Sequence, residues 1–211
     1  GIIANAPRRL FAAGLGDALS TWFEARACKN SGARTMARGN VSNTGLMMAR
    51  LCYDLLMEKG RDALAAVERH EVTPALEDVV EATIYLSGLG FENGGLAAAH
   101  AVNDGFAQEP QAHGMYHGEK VAFGTLVQLV LEKAPQEELE QVLAFLRDTG
   151  LPLTLAQLGV KEIVPETLKK VAEAAVVPTQ STKNLRADIT AQEVYDAILE
   201  ADRIGRDYLA H

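Results

Sequence analysis

An all-α architecture, a helical bundle-like domain, is what the sequence predicts, and three observations predict it. Helix punctuation recurs along the whole chain, apolar residues return at helical intervals, and the strict alternation of a half-buried strand is almost absent. At 211 residues with 48% hydrophobic content the chain can build one large core. No repeat, low-complexity run or linker divides it, so residues 1–211 are expected to form a single domain, with 1–10 as a former interdomain connection.

Taken in order, the first helix is expected to start at Asp17, where Gly14-Leu-Gly-Asp precedes Ala18, Leu19, Trp22 and Phe23. A second covers Asn43 to Lys59 and stops at Gly60, because glycine accepts the left-handed conformation that commonly closes a helix. Asp62 to His70 forms a third. Thr73 and Pro74 suit the N-cap and first position of a helix reaching about Leu86, with Leu76, Val79, Val80 and Thr83 on its periodic face. Gly94-Gly-Leu-Ala-Ala-Ala-His reads as a helix with His100 near its end. Further helices follow over Glu119 to Glu132, Pro135 to Asp148 (with Gly150 as a stop) and Pro165 to Ala175. Thr190 and Glu193 match a capping box before Val194, Ile198 and Leu199. Phe106 to Tyr116 and Val176 to Thr182 are the long loops, and long ordered loops in a helical domain often carry function.

A formal charge of −8 and a pI near 5.2 repel phosphate backbones and anionic membranes, so neither nucleic acid nor a membrane is expected as a partner. The chain has no apolar run of spanning length and no signal segment. Its two cysteines, Cys28 and Cys52, sit in helical patterns and are expected as buried thiols in a reducing cytoplasm. The chain opens at Gly1 without Met, in the apolar stretch Gly-Ile-Ile-Ala-Asn-Ala-Pro, and is expected to be a processed or cut piece of a longer polypeptide.

Chemistry concentrates at His100 and His117, with residues 101–116 between them. Together with Asp17 they make a two-nitrogen, one-oxygen metal set, which leaves a coordination position free, as a catalytic rather than an architectural site requires. Each has a plainer explanation as well. Asp17 could cap a helix, and His100, between Ala97 and Val102, could be a core histidine bonded to a carbonyl. His117 begins a helix, whose positive end disfavours imidazolium, and neutral imidazole is the form that binds metal. His113 is a competing donor in a loop, while His70 and His211 look like surface residues. No His-Glu-x-x-His or Cys-x-x-Cys is present, and the donor types suit Zn²⁺, Fe²⁺, Mn²⁺ or Co²⁺ about equally.

The segments Ala4-Asn-Ala-Pro-Arg-Arg, Ala12-Ala-Gly-Leu-Gly-Asp-Ala-Leu, Leu96-Ala-Ala-Ala-His-Ala-Val, His117-Gly-Glu-Lys-Val-Ala-Phe-Gly and Gly150-Leu-Pro-Leu-Thr-Leu-Ala-Gln-Leu resemble the glycerol dehydrogenases of the iron-type alcohol dehydrogenase superfamily. The resemblance runs through essentially the whole chain. It implies the helical C-terminal half of that fold, Asp17, His100 and His117 as metal ligands at the catalytic centre, and Phe91 beside a bound polyol. Iron-type relatives commonly add a histidine one turn after the aspartate; Thr21 stands there, which points to the zinc branch, with Fe²⁺ or Mn²⁺ as alternatives. Asn103 departs from the family's usual histidine, which bears on contacts around the site rather than on the ligand set. The implied reaction is oxidation of glycerol by NAD⁺ to dihydroxyacetone, in a cytoplasmic homo-oligomer.

Half of such an enzyme is expected to lie outside this chain. Neither Gly14-Leu-Gly16 nor Gly88-Leu-Gly90 is followed by glycine three residues on or preceded by a strand, so the pyrophosphate turn of a dinucleotide fold is not encoded. In the related enzymes an N-terminal α/β domain supplies most NAD contacts, and this chain is expected to begin just past it, with little or no dehydrogenase activity alone. A glycerol-phosphate dehydrogenase or dehydroquinate synthase would need cations near the metal, where Asn103, Asp104 and Glu109 stand and Lys120 is the one nearby positive charge. From a different class, a non-catalytic helical module for metal binding or assembly is the remaining alternative.

Overall fold

In the computed structural model, which describes residues 1–211, nine α-helices pack without a β-sheet, the one bridge pairing Arg34 with Asn40. They are α1 (Arg8–Ser31), α2 (Asn43–Glu68), α3 (Pro74–Val80), α4 (Ser87–Gly94), α5 (Ala98–Gly105), α6 (His117–Glu132), α7 (Gln136–Thr149), α8 (Pro165–Ala175) and α9 (Ala191–Leu209). Helices α1 and α6 pack on each other at the centre; α2 and α4 lie against α1, and α5 and α9 against α6. Phe23, Phe106, Phe123 and Phe145 are wholly buried, and the rings of Phe106 and Phe123 meet edge to face at 6.0 Å. No helix is long and apolar enough to cross a membrane.

Several ends follow the expected signals. Thr73 accepts from the Leu76 amide with Pro74 next to it, Thr190 and Glu193 complete a reciprocal capping box, and Gly150 closes α7 at φ +75°. Gly60 does not stop a helix, and the separate helix over Asp62 to His70 does not exist: α2 runs unbroken through both. The glycine is there for packing, since a Cβ at residue 60 would stand 2.9 Å from the Phe145 ring. Helix α1 begins at Arg8, so Asp17 sits in mid-helix and caps nothing. His100 lies in the first turn of its helix rather than near the end, because Gly94 closes α4 and the intervening residues 95–97 are not helical.

The helix from Pro74 does not end at Leu86. Residues Glu81–Leu86 form a π-helical segment that joins α3 to α4 in one continuous rod. Thr83 lies within it and donates its hydroxyl to the Val79 carbonyl at 2.9 Å. Cys28 and Cys52 are buried and unpaired, as expected, and burial pushes both thiols up to about 12.

Candidate metal centre

A glycine contact sets how close the two central helices come. The Cβ that Gly118 lacks would lie 1.9 Å from the Ala13 carbonyl oxygen, and the one that Gly16 lacks would lie 2.6 Å from the Gly118 oxygen. Backbones can meet this closely only where neither residue has a side chain. Because Asp17 follows Gly16 and His117 precedes Gly118, the crossing sets the aspartate against the histidine. The start of α6 is held further by Glu119, which accepts from the Tyr116 amide at 2.7 Å and takes two bonds from Arg9 of α1 at 2.6 and 2.8 Å.

At this crossing the three expected ligands meet. Asp17 Oδ1 lies 3.4 Å from His100 Nε2 and 3.3 Å from His117 Nε2, and one donor atom from each residue falls within 4.8 Å of the others. The imidazole rings are 5.3 Å apart between centroids and tilted by 49°. His100 is mostly enclosed, with 19% of its side chain exposed, whereas Asp17 and His117 are open at 44% and 54%. Two nitrogens and one oxygen converging on a point with one open side fit a divalent cation that keeps room for a further ligand. Burial opposes the charged form of His100, but Glu24 and Asp17 outweigh it and push the ring up to about 10. Burial likewise works against ionised Asp17, but the two histidines prevail and hold it well below the usual carboxylate range. Without metal the site therefore carries a proton where a cation would carry its charge.

Thr21 is buried one turn beyond Asp17 and shares a 2.9 Å hydrogen bond with the Ser87 hydroxyl of α4, so it adds no imidazole to the set. Phe91 lies one turn past Ser87 and is 38% exposed. Asn103 is buried, donates to Asp104 and keeps Oδ1 without a hydrogen-bond partner. His113 is not part of the cluster; its Nε2 faces the Ala107 carbonyl at 3.1 Å, inside a connection ordered by short 3₁₀ turns. His70 and His211 are exposed, and Lys120 forms no ion pair. Asp17 also lines an apolar recess of about 260 Å³ with Leu10, Phe11, Val80, Thr83 and Ile84. A recess of about 730 Å³ between α7 and α9 contains no residue of the candidate metal cluster.

One participant was not anticipated from sequence. Glu24 is wholly buried, and its carboxylate meets His100 Nδ1 at 2.6 Å. Its only visible signal is position: Asp17, Thr21, Glu24 and Cys28 follow at helical spacing down one stripe of α1.

No protein-family model matches the chain. It is 57% identical over 208 residues to a glycerol dehydrogenase of Escherichia coli O6:H1, an alignment that takes in 99% of this chain and 57% of that protein. A crystal structure of glycerol dehydrogenase from Schizosaccharomyces pombe superposes with a TM-score of 0.95 at 40% identity, over 98% of this chain and 54% of that one. One of a probable glycerol dehydrogenase from Sinorhizobium meliloti gives 0.92 at 45% identity, over 97% and 57%. The fold is that of iron-type alcohol dehydrogenase structures, and the chain spans little more than half the length of the curated relatives it matches, corresponding to their C-terminal domain.

Proposed function

We infer, from the premise that this chain is a homologue of the glycerol dehydrogenases along its whole length, that it is the metal-binding half of an NAD-dependent polyol dehydrogenase. The proposed reaction converts glycerol and NAD⁺ to dihydroxyacetone and NADH. Asp17, His100 and His117 hold a divalent cation, Zn²⁺ first, with Fe²⁺ or Mn²⁺ able to use the same donors. The observation that carries this reading is the convergence of Asp17 Oδ1 with His100 Nε2 and His117 Nε2 at 3.4 and 3.3 Å.

When bound, the cation supplies Lewis-acid polarisation of a polyol hydroxyl. The chain's own residues do the rest of the work assigned to this half. Asp17 offsets the cation's charge, and the two imidazoles orient it. The apolar wall of Leu10, Phe11 and Ile84 beside Asp17 keeps water from that side, and Phe91 flanks the polyol. The all-helical fold offers no strand-to-helix glycine turn for a pyrophosphate, so most NAD contacts belong to a part outside this chain. That part is assigned to the apolar face around the recess, where Ile2, Leu10, Val72 and Ile84 are exposed at 91%, 48%, 53% and 65%. Assembly into a homo-oligomer completes the proposal.

The test is elemental analysis of purified protein together with its activity. His100→Ala and His117→Ala should each lower zinc content, and the protein that includes the coenzyme-binding part should oxidise glycerol with NAD⁺. Unchanged zinc stoichiometry in both variants would refute the site.

A further inference from the structure

Helix α5 starts without a cap of its own. The residues at its beginning are Ala97, Ala98 and Ala99, none of which has a side chain that can accept a hydrogen bond, and Ala97 holds the unusual angles φ −139°, ψ −131°. The exposed amides of a first turn must be satisfied from somewhere. Here other helices satisfy them: Glu24 Oε1 of α1 accepts from the Ala97 amide at 2.8 Å and the His100 amide at 3.0 Å, and Gln128 of α6 accepts from the Ala99 amide at 3.0 Å. The second Glu24 oxygen meets His100 Nδ1 at 2.6 Å. Glu24 is 0% exposed and forms no ion pair with Lys or Arg. A buried carboxylate is costly unless both oxygens are bonded, and here the only side chain that bonds it is one imidazole.

We propose that Glu24 is the positioning residue of the metal centre. It anchors the first turn of α5 through one oxygen and, through the other, keeps the His100 proton on Nδ1, so that Nε2 is left as the donor facing Asp17 and His117. This rests on the reading of Asp17, His100 and His117 as a metal site. The chemistry is general: a histidine presents a lone pair to a cation from one nitrogen, and which nitrogen is decided by the bond the other one makes. The rest of the segment is fixed from the same stripe, since Cys28 donates to the Leu96 carbonyl at 3.2 Å. Ser181, from the loop before α9, donates to the Ala97 carbonyl at 2.6 Å. With the backbone on both sides of Glu24's contacts held, the ring has one orientation.

Glu24→Gln separates the two roles. The amide oxygen can still accept from both backbone amides, but its N–H₂ then faces Nδ1 as a donor and drives the ring proton to Nε2, the nitrogen aimed at the cation. Turning the amide round restores Nδ1 and loses the backbone bonds. The variant should keep its far-UV circular dichroism, while its zinc dissociation constant, measured by competition with a chelator, rises about 10- to 100-fold. On the unmodified protein loaded with zinc, ¹⁵N NMR of labelled histidine should find His100 protonated at Nδ1 and metal-bound at Nε2, a readout that does not depend on the variant folding. Unchanged zinc affinity in Glu24→Gln, or a His100 bound through Nδ1, overturns the proposal and leaves the metal site standing. Absence of zinc, iron and manganese from the wild-type protein, or unchanged metal content in both His100→Ala and His117→Ala, overturns the metal site itself and this role with it.

Discussion

Gly118→Ala puts the geometry of the centre to a direct test. The added Cβ would fall 1.9 Å from the Ala13 carbonyl oxygen, 2.7 Å from its carbon and 3.2 Å from Asp17 Cβ. A carbon and a carbonyl oxygen in comfortable contact stand about 3.3 Å apart, so the start of α6 has to withdraw from α1 by about 1.4 Å. The obstacle is backbone on a central helix, so no side chain can swing aside. Overpacking of this kind costs about 3 kcal/mol, the upper part of its usual range. For a chain of this size that is a fall in melting temperature of about 6–12 °C. His117 precedes the substituted residue and moves with it, so zinc affinity should drop about ten-fold or more, as when a ligand's supporting contacts are lost. Differential scanning calorimetry and chelator competition measure the two effects. Gly14→Ala is the control on the same helix: its Cβ meets nothing within 4 Å, and alanine should add up to about 1 kcal/mol of helix stability while leaving zinc binding unchanged. The close-crossing argument fails if Gly118→Ala melts within about a degree of wild type with the same zinc dissociation constant.

Zinc affinity should rise with pH. Against burial, Glu24 and Asp17 push the ring of metal-free His100 up to about 10, above the usual 6.5, so across neutral pH the cation is expected to displace a proton from it. The expected slope is close to ten-fold in affinity per pH unit between about pH 7.5 and 9, and a flat profile would contradict it. The same shift stabilises the metal-free fold in the opposite sense: the contribution is full below the ordinary histidine value and disappears as pH climbs through about 10. Cys28 and Cys52, buried and pushed up to about 12, should resist a thiol reagent in the native protein and react together on unfolding; rapid labelling of either in the native state would refute their burial.

Where a signal was local, the sequence carried it. Thr73 with Pro74, Thr190 with Glu193 and Gly150 all mark helix ends through neighbours within a few positions. Asp17, His100 and His117 were singled out as a candidate ligand set, and the fold brings the three together at the crossing of α1 and α6. Glycine misled where its use was tertiary. Gly60 looked like a stop and serves the Phe145 ring, and Gly16 stood before an expected helix start at Asp17 where the chain in fact needs a bare helix surface against Gly118. Glu24 was illegible because an acid beside Trp22 and Phe23 ordinarily faces water, and its partner lies 76 positions away. Nor does any residue type announce the π segment over Glu81–Leu86, which depends on how the helix fits between its neighbours.

That segment makes the rod from Pro74 to Gly94 a gauge of chain length. A π turn accommodates a residue that an α-helix would not, so losing one residue there can restore regular α geometry while leaving the downstream helix close to its present facing. A second loss finds no π turn to relax and turns everything downstream by about 100° about the axis, so that Ser87 would swing away from Thr21 and Phe91 would leave its present side of the rod, although neither had been altered. A single deletion along Glu81–Leu86 should therefore be absorbed, whereas a second would re-aim the wall of the site.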